Sequence, residues 1–180
     1  MAHGRSGAWW AIRLGIFALV VVIFMCVGAF FLIRLIYRTA ALDPFQPSLQ
    51  QYLAAAPTDQ KPTEEGFKPG MIAVDLQSNS LDHFYFELPN DLRAANPASV
   101  KTVVFLRWDK AATHKYSNGR LGYTQMCAVD VVDLETKTLL KSADFQGDPP
   151  PSSIGRRSSS ATGSSPADKI VLFLQQNTGR

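Results

Sequence analysis

Residues 14–33 read LGIFALVVVIFMCVGAFFLI, twenty consecutive positions without a charge. A helix rises about 1.5 Å per residue, so this run reaches about 30 Å, the thickness of a bilayer's hydrocarbon core. It is apolar on every side, which is too much for the interior of a small domain. Trp9 and Trp10 precede it and Tyr37 follows it, amphipathic side chains that settle at the level of lipid headgroups. Arg13 and Arg34 bracket it, and their long stems carry charge out to water. The sequence therefore predicts a single-pass membrane protein, with a tail at 1–13 and a transmembrane helix at 14–37. A cleaved signal peptide has an apolar region of about 7–15 residues. Here Arg34 and Arg38 also separate the run from the small residues Thr39, Ala40 and Ala41, so an uncleaved signal-anchor is the better reading.

Orientation rests on little. Arg5 and Arg13 lie before the run and Arg34 and Arg38 after it, so the count of positive charges is nearly tied. The short, acid-free tail favours the cytoplasmic side, which places the C-terminal domain outside. A bacterial plasma membrane fits this arrangement, and a mitochondrial inner membrane is the alternative.

The net charge of +3 belongs to this N-terminal part, because no acidic residue occurs before Asp43. From Thr39 onward, 14 Lys and Arg face 15 Asp and Glu. A near-neutral domain lacks the overall electrostatic footprint of phosphate binding, so no nucleic-acid partner is expected. Cys26 lies in the apolar run and Cys127 far downstream, which leaves no disulfide framework and no CxxC pair.

After a short helix beginning behind Pro47-Ser48, residues 58–70 (TDQKPTEEGFKPG) carry no apolar period, and the segment 38–70 is read as that helix plus a linker. The domain is expected over 71–180. MIAVDL and HFYFEL, joined by QSNSLD, predict a hairpin that puts Phe84 and Phe86 on one face and Tyr85 on the other. TVVFLRW predicts a third strand with Val104, Leu106 and Trp108 on one face. Residues 109–122 read as a polar loop with a tight turn at Asn118-Gly119. YTQMCAVDVVDL and then 138–145 predict a second hairpin. The stretch 149–165 is rich in Pro and Ser and is expected to be a flexible loop. Pro166 opens a final helix with Ile170, Val171 and Leu174 as its apolar stripe. The fold class is thus α+β, a small and mainly antiparallel sheet with a C-terminal helix.

Candidate chemistry is sparse. Cys127 with His83 or His114 as base would make a nucleophile pair, but a cysteine in mid-strand is usually a small core side chain. His83 and His114 with Asp82 or Asp109 match no ligand spacing, so no metal and no cofactor are expected. Asp75, Asp130 and Asp133 offer carboxylates for acid–base work, against the commoner reading of a wet sheet face. Asp130, set among Val129, Val131 and Val132, is the one to inspect. Gly119-Arg120-Leu121-Gly122 lacks the helix and the Lys-Ser/Thr pair of a phosphate loop. Arg156-Arg157-Ser158 reads as a phosphorylation candidate or as plain polar loop. Tyr85, Tyr116 and Tyr123 form the candidate partner surface, because aromatics concentrate at interfaces.

An anchor, a spacer and a strand-rich domain without a catalytic cluster point to a non-enzymatic interaction protein, an accessory subunit of a membrane complex. It would meet the lipid bilayer and a protein partner in or at the membrane. The alternatives are a membrane-tethered, hydrolase-like enzyme using Cys127 or a carboxylate pair, and a small-ligand or lipid sensor.

Overall fold

A computed structural model describes residues 22–29, 40–58, 60–63, 65–155 and 160–179. The chain divides into two compact units, Met1–Asp43 and Pro44–Arg180. Of the predicted span, only residues 22–29 are described; they are helical and every one is exposed, Phe24 to 74% and Met25 to 70%. Among the described residues no helix is long and apolar enough to cross a membrane. The remainder of the run, with its flanking Trp and Arg residues, lies outside them.

The second unit holds a six-stranded sheet in the order β2-β1-β3-β4-β5, with β6 pairing β4. The strands are β1 (Met71–Asp75), β2 (Ser80–Leu81), β3 (Thr102–Lys115), β4 (Leu121–Asp133), β5 (Leu139–Gln146) and β6 (Ala161–Thr162). The α-helices are α1 (Leu49–Leu53) and α2 (Ala167–Asn177). The class is α+β with a C-terminal helix, but the sheet is mixed: β1 runs parallel to β3, and β6 parallel to β4.

The parallel pair has a local cause. The Asp82 carboxylate accepts the Phe84 N–H at 2.7 Å and caps a 3-10 turn at His83–Phe86. An Asp that caps its own downstream N–H offers the backbone an alternative to a strand ladder. HFYFEL is therefore no strand, and β1 keeps only two residues of antiparallel partner. Its other edge is left for β3, reached by the crossing connection 82–101.

Pleating assigns the core to both sheet faces. Met71, Ala73, Val104, Leu106, Val129 and Val131 share one face by register, and Ile72, Val74, Val103, Phe105 and Val132 share the other; all are 1% exposed or less. Helix α2 buries Ile170 and Leu174 completely, while Val171 is only half-buried. Its Phe173 packs edge-on against Phe145 of β5 and Phe67.

Residues 60–63 and 65–68 are bound along this unit. Thr63 N–H donates to the Leu139 carbonyl and Phe67 N–H to that of Asn177, at 2.9 and 2.8 Å. Phe67 is 2% exposed and Lys68 pairs with Asp133 at 2.6 Å. One buried aromatic and these main-chain bonds turn an unpatterned segment into a strap.

Candidate functional site

The predicted polar loop 109–122 is mostly sheet. β3 continues to Lys115 and β4 starts at Leu121, so a hairpin arm extends past the ends of β1 and β5. A ladder does not need an apolar face if cross-strand polar pairs hold it. Here the Thr113 and Thr124 hydroxyls meet at 2.8 Å, and the Lys110 ammonium lies 5.3 Å from the Tyr123 ring centre. Gly119, at φ +80°, closes the turn in the conformation that favours glycine.

Beyond Leu106 the β1-side edge of β3 pairs with no strand among the described residues. The Leu106 carbonyl faces that side, where it accepts the Leu76 N–H. Backbone direction alternates along a strand, so the peptide groups of Lys110 and Ala112 face the same open edge. Two carbonyls on the opposite strand agree with this: Gln125 and Tyr123, opposite Lys110 and Ala112, turn away from β3 to accept Gly147 and Gly163 N–H groups. The Lys110 N–H is held by the neighbouring Asp109 carboxylate at 2.7 Å. Beyond Trp108, that leaves the carbonyls of Lys110 and Ala112 and the Ala112 N–H as the edge a partner strand would meet.

Each predicted site residue has a definite place. Tyr85 is 5% exposed and donates to the Ala94 carbonyl; Tyr116 is 7% exposed and donates to that of Pro151, both at 2.6 Å. A hydroxyl that finds a carbonyl lets the rest of the ring be buried. Only Tyr123 keeps a share of surface, so the three tyrosines do not make one exposed face.

Cys127 is 1% exposed, and burial pushes its thiol up to about 12. The opening beside it is walled by Arg107, Asp109, Met126, Asp144 and Phe145, with no histidine. His83 stacks on Phe86, and His114 meets Tyr116 edge-on at 4.6 Å. Among the described residues no group of three His, Cys, Asp or Glu is placed to hold a metal ion. A thiol at that value is thiolate in about one part in 10⁴ at pH 8. In a Cys26→Ser chain, Cys127 is expected to react with a disulfide dye at least about 100-fold more slowly folded than unfolded. Equal rates would mean that the thiol is reachable in the native state.

The carboxylates serve the fold. Asp130, 5% exposed, takes Arg107 at 2.8 Å and the Ser142 hydroxyl at 2.6 Å. Burial pulls the Asp133 carboxyl upward, but Lys68 and the N–H groups of Thr136 and Glu135 outweigh it and hold the group below its ordinary value. Asp75 caps the Gln77 N–H and accepts the Ser78 hydroxyl. Asp82, besides its cap, accepts the Trp108 indole N–H at 2.7 Å and fixes that ring against Phe84. Arg156, Arg157 and Ser158 lie outside the described residues.

The open edge was invisible to sequence reasoning because its residues, DKAATHK, carry no apolar alternation. The one available signal was weak: Thr113 is a lone β-branched strand former within an otherwise polar stretch. No family model, curated protein or solved structure matches the chain.

Proposed function

We propose that this chain is a membrane-anchored, non-enzymatic interaction protein, an accessory subunit whose domain docks on a partner by strand addition at the arm. The anchor is the uncharged run 14–33, with the domain on the extracytoplasmic side. The observation that carries the docking reading is the open edge of β3 at Lys110 and Ala112. Strand addition draws affinity from main-chain hydrogen bonds and selectivity from the side chains beside them. Lys110 and Lys115 outnumber the one carboxylate beside this edge, Asp109, so the partner segment is an extended one carrying acidic side chains.

Ala112→Pro tests this reading. Proline removes an N–H that no β4 group uses, and edge positions tolerate it. After extraction in mild detergent, the wild-type chain is expected to migrate on a native gel in a complex larger than a monomer. Mass spectrometry would then identify the partner. In Ala112→Pro its recovery should fall at least about tenfold, the loss of roughly one or two main-chain bonds, with the melting temperature of the domain almost unchanged. A wild-type band at monomer size, or full recovery with Ala112→Pro, would sink the proposal.

A further inference from the structure

The overall neutrality of the domain conceals a segregation of charge. Pro44–Arg180 carries 14 basic and 14 acidic residues. Residues 110–129 hold Lys110, Lys115 and Arg120 and no acid, and residues 149–155 hold no acid either. The fold brings these two acid-free segments together. The Tyr116 hydroxyl donates to the Pro151 carbonyl at 2.6 Å, and Pro150 lies over Gly122 so closely that a Cβ there would meet it at 2.8 Å.

Between them, at the tip of the arm, is a cavity of about 300 Å³ walled by His114, Lys115, Ser117, Asn118, Ser152 and Ser153. Beside Tyr116 and the apolar Ile154, its remaining side chains can all donate. Lysine has no acceptor, the serine hydroxyls turn freely, and an imidazole carries a ring N–H. Asn118 spends its carbonyl oxygen on the Arg120 N–H at 3.1 Å, which leaves its amide N–H groups uncommitted by that bond. No carboxylate is among the walls. One lysine with hydroxyl and amide donors, lining one opening without an acid, suits a compact oxyanion with several acceptor oxygens.

We infer that this tip pocket binds a single phosphate group, either free or carried on a lipid headgroup, with Lys115 as its charged contact. This goes beyond the docking reading: the tip pocket lies past the open edge at Lys110 and Ala112 and takes a different ligand, although Lys115 stands beside both.

The test uses the full chain in phosphatidylcholine nanodiscs. The His114 ring resonance is followed by NMR while inorganic phosphate replaces chloride at constant ionic strength. A saturable shift is expected. It should weaken at least about tenfold in Lys115→Gln, recover in Lys115→Arg, and stay unchanged in Lys101→Gln, which lines a different cavity. Adding phosphatidate to the nanodiscs separates the two sources. A resonance already shifted before phosphate is added supports a headgroup ligand; an unchanged titration supports free phosphate. A shift that does not saturate, or one identical in Lys115→Gln, overturns the inference. So does tighter binding of a single-stranded oligonucleotide with a steep salt dependence, which would make the tip part of an extended nucleic-acid surface.

Discussion

Arginine at both Ile23 and Phe24 is expected to move the chain from the membrane pellet to the soluble fraction, while the unaltered chain resists extraction by alkaline carbonate. The run 14–33 contains fourteen Leu, Ile, Phe and Val residues. At roughly −0.3 to −0.6 kcal/mol each, they supply at most about −4 to −8 kcal/mol for insertion. Two arginines near the centre cost about 5–7 kcal/mol and also remove two favourable residues. The balance then falls near zero or against insertion, too little for stable anchoring. Of the run, residues 22–29 are described, a helical stretch with Ile23 53% and Val27 48% exposed. Release of the unaltered chain by carbonate, or retention of the double variant in the pellet, would contradict the anchor.

How far the sequence could be read depended on whether the controlling interaction was local. Helix α2 was legible because Pro166, the stripe of Ile170 and Leu174 and the helix-forming residues between them agree over one short segment. The central strands were legible because valines in a row leave no other reading. The first hairpin was not. Phe84, Tyr85 and Phe86 favour a strand by propensity, yet one carboxylate, Asp82, caps the turn that replaces it and also anchors Trp108, 26 positions away. The strap at 60–68 depends on Phe67 reaching Phe173, a contact no window of sequence contains. The candidate site suffered most. Aromatic enrichment at interfaces makes Tyr85, Tyr116 and Tyr123 a candidate partner surface, but Tyr85 and Tyr116 satisfy their hydroxyls on the Ala94 and Pro151 carbonyls and go inside. Asp130 stands out in the sequence among Val129, Val131 and Val132, while its partners, Arg107 and Ser142, come from two neighbouring strands. The tip pocket arises only when residues 114–118 and 152–154 are folded together, so a near-zero net charge misrepresented it.

The same juxtaposition makes Gly163→Ala one of the most damaging small substitutions to expect. Where β5 leaves β4 after Gln146, two main-chain bonds take over its edge: Gly147 N–H to the Gln125 carbonyl at 2.8 Å, and Gly163 N–H to the Tyr123 carbonyl at 2.9 Å. The two glycine segments pass each other in backbone contact. A Cβ on Gly163 would lie 1.8 Å from the Asp148 carbonyl oxygen, and one on Gly147 would lie 2.0 Å from that of Ser164. Neither obstacle is a side chain that can swing aside, so relief requires the segments to part and the bonds to β4 to weaken. Overpacking typically costs 1–3 kcal/mol; with a backbone clash this deep the estimate is about 3 kcal/mol. For a domain of this size, that is a fall of about 10 °C in melting temperature. Gly119→Ala separates contact from conformation: its Cβ would meet nothing within 4 Å, but the residue sits at φ +80°. Its cost is therefore conformational alone, about 1 kcal/mol. If Gly163→Ala melted within about 2 °C of wild type, with the exchange of the Gly147 and Gly163 amides unchanged, the backbone contact described here would be wrong. If the melting temperature held but those amides exchanged freely, residues 147–163 would open as a local unit, and Gly163→Ala would then be expected to abolish the tip pocket while leaving the sheet intact.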